Sequence, residues 1–273
     1  MRRHWILAMW ALFAWVRSGE ASSFLDVTPG FLEVSAEPGR TIRGDFKVLN
    51  TRADKVTVSI QVKDGWIEQR GVPSPVALDE WLHINIPKKL VLRSGGTKTI
   101  PYRIVVPGNL AGEAMALVFF SVPSDPTTGQ PLNIQLRHGI PIYLSAKGTE
   151  RVELRVVDAQ ALIPPSGGLE LAMTLYCDGN THVRPRGDLR ITDTFNQEVE
   201  TLPLEYGAPV FPGGRGKYHA RARRTDWTNG HYKALLTVTY GDTFGPLKTL
   251  QKMFLLNVSE GKIVMTEEVP HGG

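Results

Sequence analysis

Gly213, Gly214, Gly216 and Lys217 fall together in the run GGRGK, and a glycine-rich loop ending in lysine can cradle phosphate when its spacing is right and a hydroxyl follows. Here the glycine spacing fails and Tyr218 stands where Ser or Thr would hold magnesium, so the run reads as a turn before a strand. His83, His138, His182, His219, His231 and His271 are scattered, with no pair at a four-residue helical step and no cysteine partners; they read as surface or rim histidines, and no metal site is expected. No serine lies in a nucleophile elbow. The expectation is a protein that binds: no enzyme, no catalytic residue and no cofactor.

Two stretches carry binding chemistry. In KYHARARR, residues 217–224, alternation sends Lys217, His219, Arg221 and Arg223 to one side of a strand and Tyr218, Ala220 and Ala222 to the other. Such a cationic row is either a solvated face that blocks edge-to-edge aggregation or a docking surface for an acidic partner or an anionic envelope polymer, with Arg184, Arg186 and Arg190 as candidates to extend it. In NIQLRHGIPIYLSA, residues 133–146, Ile134, Leu136, Ile140, Ile142 and Leu144 share one face, interrupted by His138. Pro141 cannot donate to a ladder and Gly139 sits beside it, which argues for an edge strand or a bulge. An apolar edge is a template for a guest strand. The same alternation also suits a strand that covers its own domain's core, and one sequence does not say which face is wet.

The elements that must hold these stretches are strands. Segments rich in Val, Ile, Leu, Thr and Tyr recur near 31–35, 41–50, 55–64, 81–92, 97–106, 112–122 and 133–145, then near 151–162, 168–177, 187–193, 198–204, 216–224, 231–240 and 248–258. They are punctuated by PG, DG, GG, DP and NG pairs, the pattern of antiparallel sandwiches, and helical signals are nearly absent. Val56, Val58, Ile60 and Val62 share a face. The fold class is all-β, two immunoglobulin-like β-sandwich domains in tandem: 22–146 and 147–260, hinged at SAKGT and followed by a flexible tail, 261–273.

Arg2 and Arg3 precede the apolar run of residues 5–16, and GEA at 19–21 offers small residues for cleavage, so residues 1–21 read as a secretory signal peptide and the mature protein as periplasmic. Cleavage removes three of the 31 basic and one of the 27 acidic residues, leaving 28 and 26, a net charge of +2. That balance gives no reason to expect nucleic acid as a partner, and none is expected of a membrane once the leader is gone. The lone Cys177 excludes an internal disulfide and ends the apolar segment LELAMTLYC, so it reads as a buried thiol.

The leader, the paired sandwiches, GEAMALVFFSVP at 112–123, the loop SDPTTGQP at 124–131 and the alternating strand after it resemble the PapD-like periplasmic chaperones of fimbrial assembly. The opening DVTPGFLEVSAEPGRTIRGDFKVLN is similar to that family's first strands. The resemblance implies a guest subunit that lacks its last strand and a hydrophobic groove filled by the seventh strand of domain one. Carried onto this chain, Ile134, Leu136 and Ile140 enter the groove and Ile142 continues the row. The implied partners are a pilus-like or other secreted subunit and an outer-membrane usher. The family holds its guest's C-terminal carboxylate with an arginine in the first strand and a lysine in the seventh; Pro29 and Pro141 stand at those places, and Arg137 is the substitute within reach. The competing reading is a structural or adhesive envelope module that presents loops and the cationic strand.

Overall fold

The computed structural model describes residues 24–122, 136–164, 167–205, 207–241 and 243–268. Its first sandwich stacks a sheet of β1 (Leu25–Thr28), β3 (Thr41–Asn50), β7 (Thr97–Val105) and β5 (Leu82–Ile84) on a second of β2 (Leu32–Ala36), β9 (Leu136–Ala146), β8 (Glu113–Val122), β4 (Val56–Asp64) and β6 (Leu90–Leu92), each given in spatial order. The inner faces close on one core around Phe46, Trp81, Ile100, Ile104, Val118 and Phe120, joined by Val56, Val58, Ile60 and Val62 from the single face that alternation assigns them.

The segment read as one strand over 81–92 is two, β5 in one sheet and β6 in the other. Pro87, which has no N–H for a ladder, lies in the crossing between them. Two short helices join the strands. In α1 (Gly65–Arg70) the Asp64 carboxylate accepts the N–H groups of Trp66 and Ile67, and Gly71 ends the turn at φ 72°, the left-handed conformation that favours glycine. The second, α2 (Leu78–Trp81), is a single turn that delivers Trp81 to the core.

The second sandwich stacks β10 (Leu154–Leu162), β11 (Glu170–Cys177) and β14 (Arg215–Arg221) on β13 (Glu198–Pro203), β12 (Arg186–Thr192), β15 (Gly230–Tyr240), β16 (Lys248–Ser259) and β17 (Lys262–Glu267). Its core gathers Leu171, Met173, Leu175, Leu189, Leu236 and Phe254. The reading of 261–273 as a loose tail is corrected over residues 262–267. That stretch forms β17, antiparallel to β16, because Ile263 and Met265 pack on the domain's core while the ladder satisfies their backbone. Cys177 is fully buried and unpaired, and burial pushes its thiol up to about 11.

Candidate functional site

Along one side of β9, β8 pairs antiparallel from Leu136 to Ser145. Along the other side β2 pairs in parallel, from Leu32 opposite Ile142 to Ala36 opposite Ala146. The stretch from Leu136 to Pro141 therefore has no strand on its outer side among the described residues. Backbone N–H and C=O groups of alternate residues point outward from such an edge, except at Pro141, which has no N–H.

Side chains along the stretch divide by face. Leu136 is 40% exposed at the end of the core-facing row, followed by half-buried His138. Ile140 and Ile142 are fully buried in their own domain's core, which corrects the expectation that they enter a guest's groove. They face the opposite sheet because the even-numbered positions of β9 point inward, the alternative that the alternation left open. Ile134 lies outside the described residues. Arg137 is exposed on the outer face, its guanidinium 4.5 Å from the centre of the Phe119 ring. Gly139 is opposite Phe119, and a Cβ there would meet that ring at 3.0 Å. At the two positions where a carboxylate anchor was sought, Pro29 lies where the chain passes from β1 to β2, and Pro141 is half-buried opposite Leu117.

Beside this edge the outer face of the sheet is apolar. Met115, Leu117 and Phe119 of β8 point away from the core, and Trp66 of α1, Tyr143 of β9 and Phe211 of domain two gather on them. This explains why β8 is buried on both faces. Arg70, at the end of α1, lies 5.1 Å from the centre of the Trp66 ring.

Where that wall meets domain two, ionisable groups are sealed in. The Glu113 carboxylate sits 2.6 Å from His182 Nδ1, with both side chains no more than 3% exposed. His182 Nε2 is 3.8 Å from Glu33, within ion-pair reach but too far for a hydrogen bond. Arg184 and the Thr243 hydroxyl both donate to Glu33. The His182 ring lies 4.3 Å from that of Tyr143 and 5.9 Å from that of Phe211. Burial raises the Glu113 carboxyl above its ordinary value, although its bond to His182 opposes the shift. Burial likewise pushes Tyr143 up to about 12.

Main-chain bonds fix the same corner. The Glu113 N–H donates to the Asn180 carbonyl at 3.0 Å, the Gly112 N–H to the Thr149 hydroxyl at 2.8 Å, and the Arg151 N–H to the Asn180 side-chain oxygen at 2.6 Å. The reading of His182 as a surface or rim residue is thus corrected: it is buried between two carboxylates that belong to the other domain. No local signal marks it, since Glu113 is 69 residues away in sequence.

The cationic row takes the predicted face but is partly neutralised. Lys217, His219 and Arg221 are exposed on β14, Arg223 is exposed just beyond it, and Tyr218 and Ala220 are buried. Arg221 Nε lies 3.3 Å from Glu170 and 3.6 Å from Glu205, which answers that one charge; Glu200 accepts the backbone N–H of Arg223, not its guanidinium. Arg184 does not extend the row, because it is bound to Glu33 at the junction, and Arg186 and Arg190 lie on β12 in the other sheet. Among the described residues no group of three or more His, Cys, Asp or Glu could hold a metal ion, and no helix is long and apolar enough to cross a membrane.

In structure the chain is similar to periplasmic chaperones of fimbrial assembly. The solved structures it resembles include the YadV chaperone (11% identity, TM-score 0.43, covering 84% of this chain and 99% of that one) and the class 5 fimbriae chaperone CfaA (12%, 0.44, 90% and 99%). A third is the SafB chaperone in complex with the Salmonella enterica SafA pilin (11%, 0.44, 83% and 94%). No family model and no curated protein matches the chain.

Proposed function

We propose that this chain is an exported, non-enzymatic, chaperone-like protein that holds a secreted or surface-assembled subunit by strand addition along the outer edge of β9. The observation that carries this reading is the stretch Leu136–Pro141, paired with β8 on one side and with no strand on the other among the described residues. A guest strand there gains ladder bonds worth about 0.5–1.5 kcal/mol each, net of the water they replace. Selectivity comes from what flanks the ladder: Leu136 at its end, and on the outer face Arg137 over Phe119. Pro29 and Pro141 offer a guest no charge, so Arg137, which has no carboxylate partner among the described residues, takes the guest's acidic group. The leader-like residues 1–21 support a periplasmic place of work, and an outer-membrane usher is the acceptor to which the subunit passes.

The test is coexpression with each secreted subunit encoded beside this gene, using the wild-type chain and Leu136→Asp. The expected result is a complex in which the amides of 136–141 gain protection from hydrogen exchange, and its loss in Leu136→Asp while the near-ultraviolet circular dichroism of the chain is unchanged. A complex that persists in that variant, or one that leaves those amides unprotected, refutes strand addition here.

A further inference from the structure

The run KYHARARR sets its cations on one face of a strand, but the packing of the domains gathers uncompensated charge where that strand begins. Arg221, toward its far end, is answered by Glu170 and Glu205. At the start of β14, Arg215 and Lys217 are exposed on the outer face of the three-stranded sheet, about 6.8 Å apart as alternate residues of a strand. Arg215 is opposite Tyr176 of β11, and Tyr176 is opposite Arg155 of β10, whose guanidinium lies 4.6 Å from the centre of the Tyr176 ring. Domain one brings a further guanidinium to this row. A Cβ built on Gly213, at φ 65°, would meet a terminal nitrogen of Arg70 at 2.8 Å and the Tyr176 hydroxyl at 3.8 Å. The Arg70 guanidinium thus takes the space that a side chain at 213 would fill, in the turn just before β14.

Only one of the cations around Tyr176 is compensated: Arg155, with Asp178 at 2.7 Å. Among the described residues no carboxylate forms an ion pair with Arg70, Arg215 or Lys217, and the nearby acids are engaged elsewhere, Glu68 by Lys63 and Glu170 by Arg221. Asp158 shares a cross-strand row with Lys217 but has Thr174 between them, two strand spacings or about 10 Å away. Like charges set side by side without an answering one repel, and the field they make attracts an anion. We infer that Arg70, Arg215 and Lys217, arranged about Tyr176, form a docking surface for an extended acidic polypeptide segment with carboxylates at alternate positions. The spacing favours this occupant, because an extended chain presents the side chains of one side every 6.8 Å or so, the step from Arg215 to Lys217. The cation chemistry agrees: a guanidinium held against a ring is pre-oriented to take a carboxylate with two parallel bonds. Recognition here is by side chains across a sheet face and adds no strand, so it is independent of the β9 edge.

The test titrates the full chain, at low salt, into a fluorescently labelled, end-blocked peptide of alternating Glu and Thr and reads anisotropy. The same titration is run with a peptide of equal composition whose glutamates form one block, and polyphosphate is used as a competitor. The alternating peptide is expected to bind more tightly than the block peptide, and its binding to weaken as salt is added. Arg70→Gln, Arg215→Gln and Lys217→Gln are each expected to weaken it by about two- to fivefold. Lys262→Gln, which removes the same charge from an exposed position on the other sheet, and Leu136→Asp at the β9 edge are expected to bind as the wild type does. Arg215 and Lys217 are exposed, so their variants are expected to keep the near-ultraviolet circular dichroism of the parent. No binding of the alternating peptide, equal binding of the block peptide, displacement by polyphosphate with no preference between the peptides, or equal weakening by Lys262→Gln overturns the proposal. Loss of binding in Leu136→Asp alone also overturns it, since the peptide would then occupy the β9 edge.

Discussion

Replacing Ile140 and Leu136 separately distinguishes a core residue from an edge residue on one strand. Both side chains lie on the same face of β9, yet Ile140 is fully buried and Leu136 is 40% exposed. Truncation to alanine removes three carbons in each case, about 2.4 kcal/mol of transfer energy at 0.8 kcal/mol per carbon for a fully buried site. At Ile140 the surrounding core adds a cavity term, for a total of about 2–5 kcal/mol. At Leu136, scaling by the covered fraction leaves about 1.4 kcal/mol, and the open end leaves no enclosed cavity. Urea unfolding followed by tryptophan fluorescence reads this directly, because Trp66 and Trp81 report domain one and Trp227 reports domain two. With a urea slope of about 2 kcal/mol per molar, Ile140→Ala is expected to lower the domain-one midpoint by roughly 1–2.5 M, and Leu136→Ala by less, about 0.7 M. Guest binding is expected to follow the opposite order: weakened by Leu136→Ala and unchanged by the mild Ile140→Val. Equal shifts at the two positions, or loss of the guest in Ile140→Val with Leu136→Ala intact, would refute the division of the strand into a sealed half and an offered end.

Gly112→Ala places a side chain at φ 83° and against Asn180, at the corner where the Glu113 N–H crosses to domain two; it is expected to cost more than about 1 kcal/mol and to separate the melting of the two domains in calorimetry, which a single unchanged transition would contradict. Cys177, with its thiol pushed up to about 11 and no surface exposed, is expected to resist thiol reagents at neutral pH and to react fully only in denaturant; rapid labelling of the native chain would show that the second core is not closed around it.

Period-two alternation makes most strands legible, as at Val56–Val62, where one face of each strand is wet and the other dry. It is silent where both faces are covered. In β8 the core residues Ala114, Ala116, Val118 and Phe120 interleave with the wall residues Met115, Leu117 and Phe119, so the sequence is one apolar run and the wall cannot be told from the core. The same limit misassigns Ile140 and Ile142, since an edge strand offered to a guest and one packed on its own core have the same spacing. Helix α1 is different, because its signals are present in DGWIEQRG, an Asp cap and a closing glycine with six residues between them, but one turn and a half is too short for a helical period to appear. His182 and Arg184 were beyond local reasoning altogether: their partners are brought to them by the packing of one domain on the other.

The open edge and its location follow from how the first strand is divided. Had the chain from Leu25 to Ala36 stayed in one sheet, it would have been long enough to run beside all of β9, but β1 pairs with β3 in one sheet and β2 with β9 in the other. Pro29 to Phe31 make the crossing, so β2 begins only opposite Ile142 and, among the described residues, the preceding part of β9 has no strand on that side. An open apolar edge invites pairing between copies of the same chain. The residues along it act against that outcome: Pro141 breaks the row of donors, and the Arg137 charge meets its own copy in any antiparallel self-pairing centred near it. On the strand-addition proposal, a guest with an acidic group opposite Arg137 would turn the second of these barriers into an attraction, so the charge that opposes self-pairing would also favour such a guest.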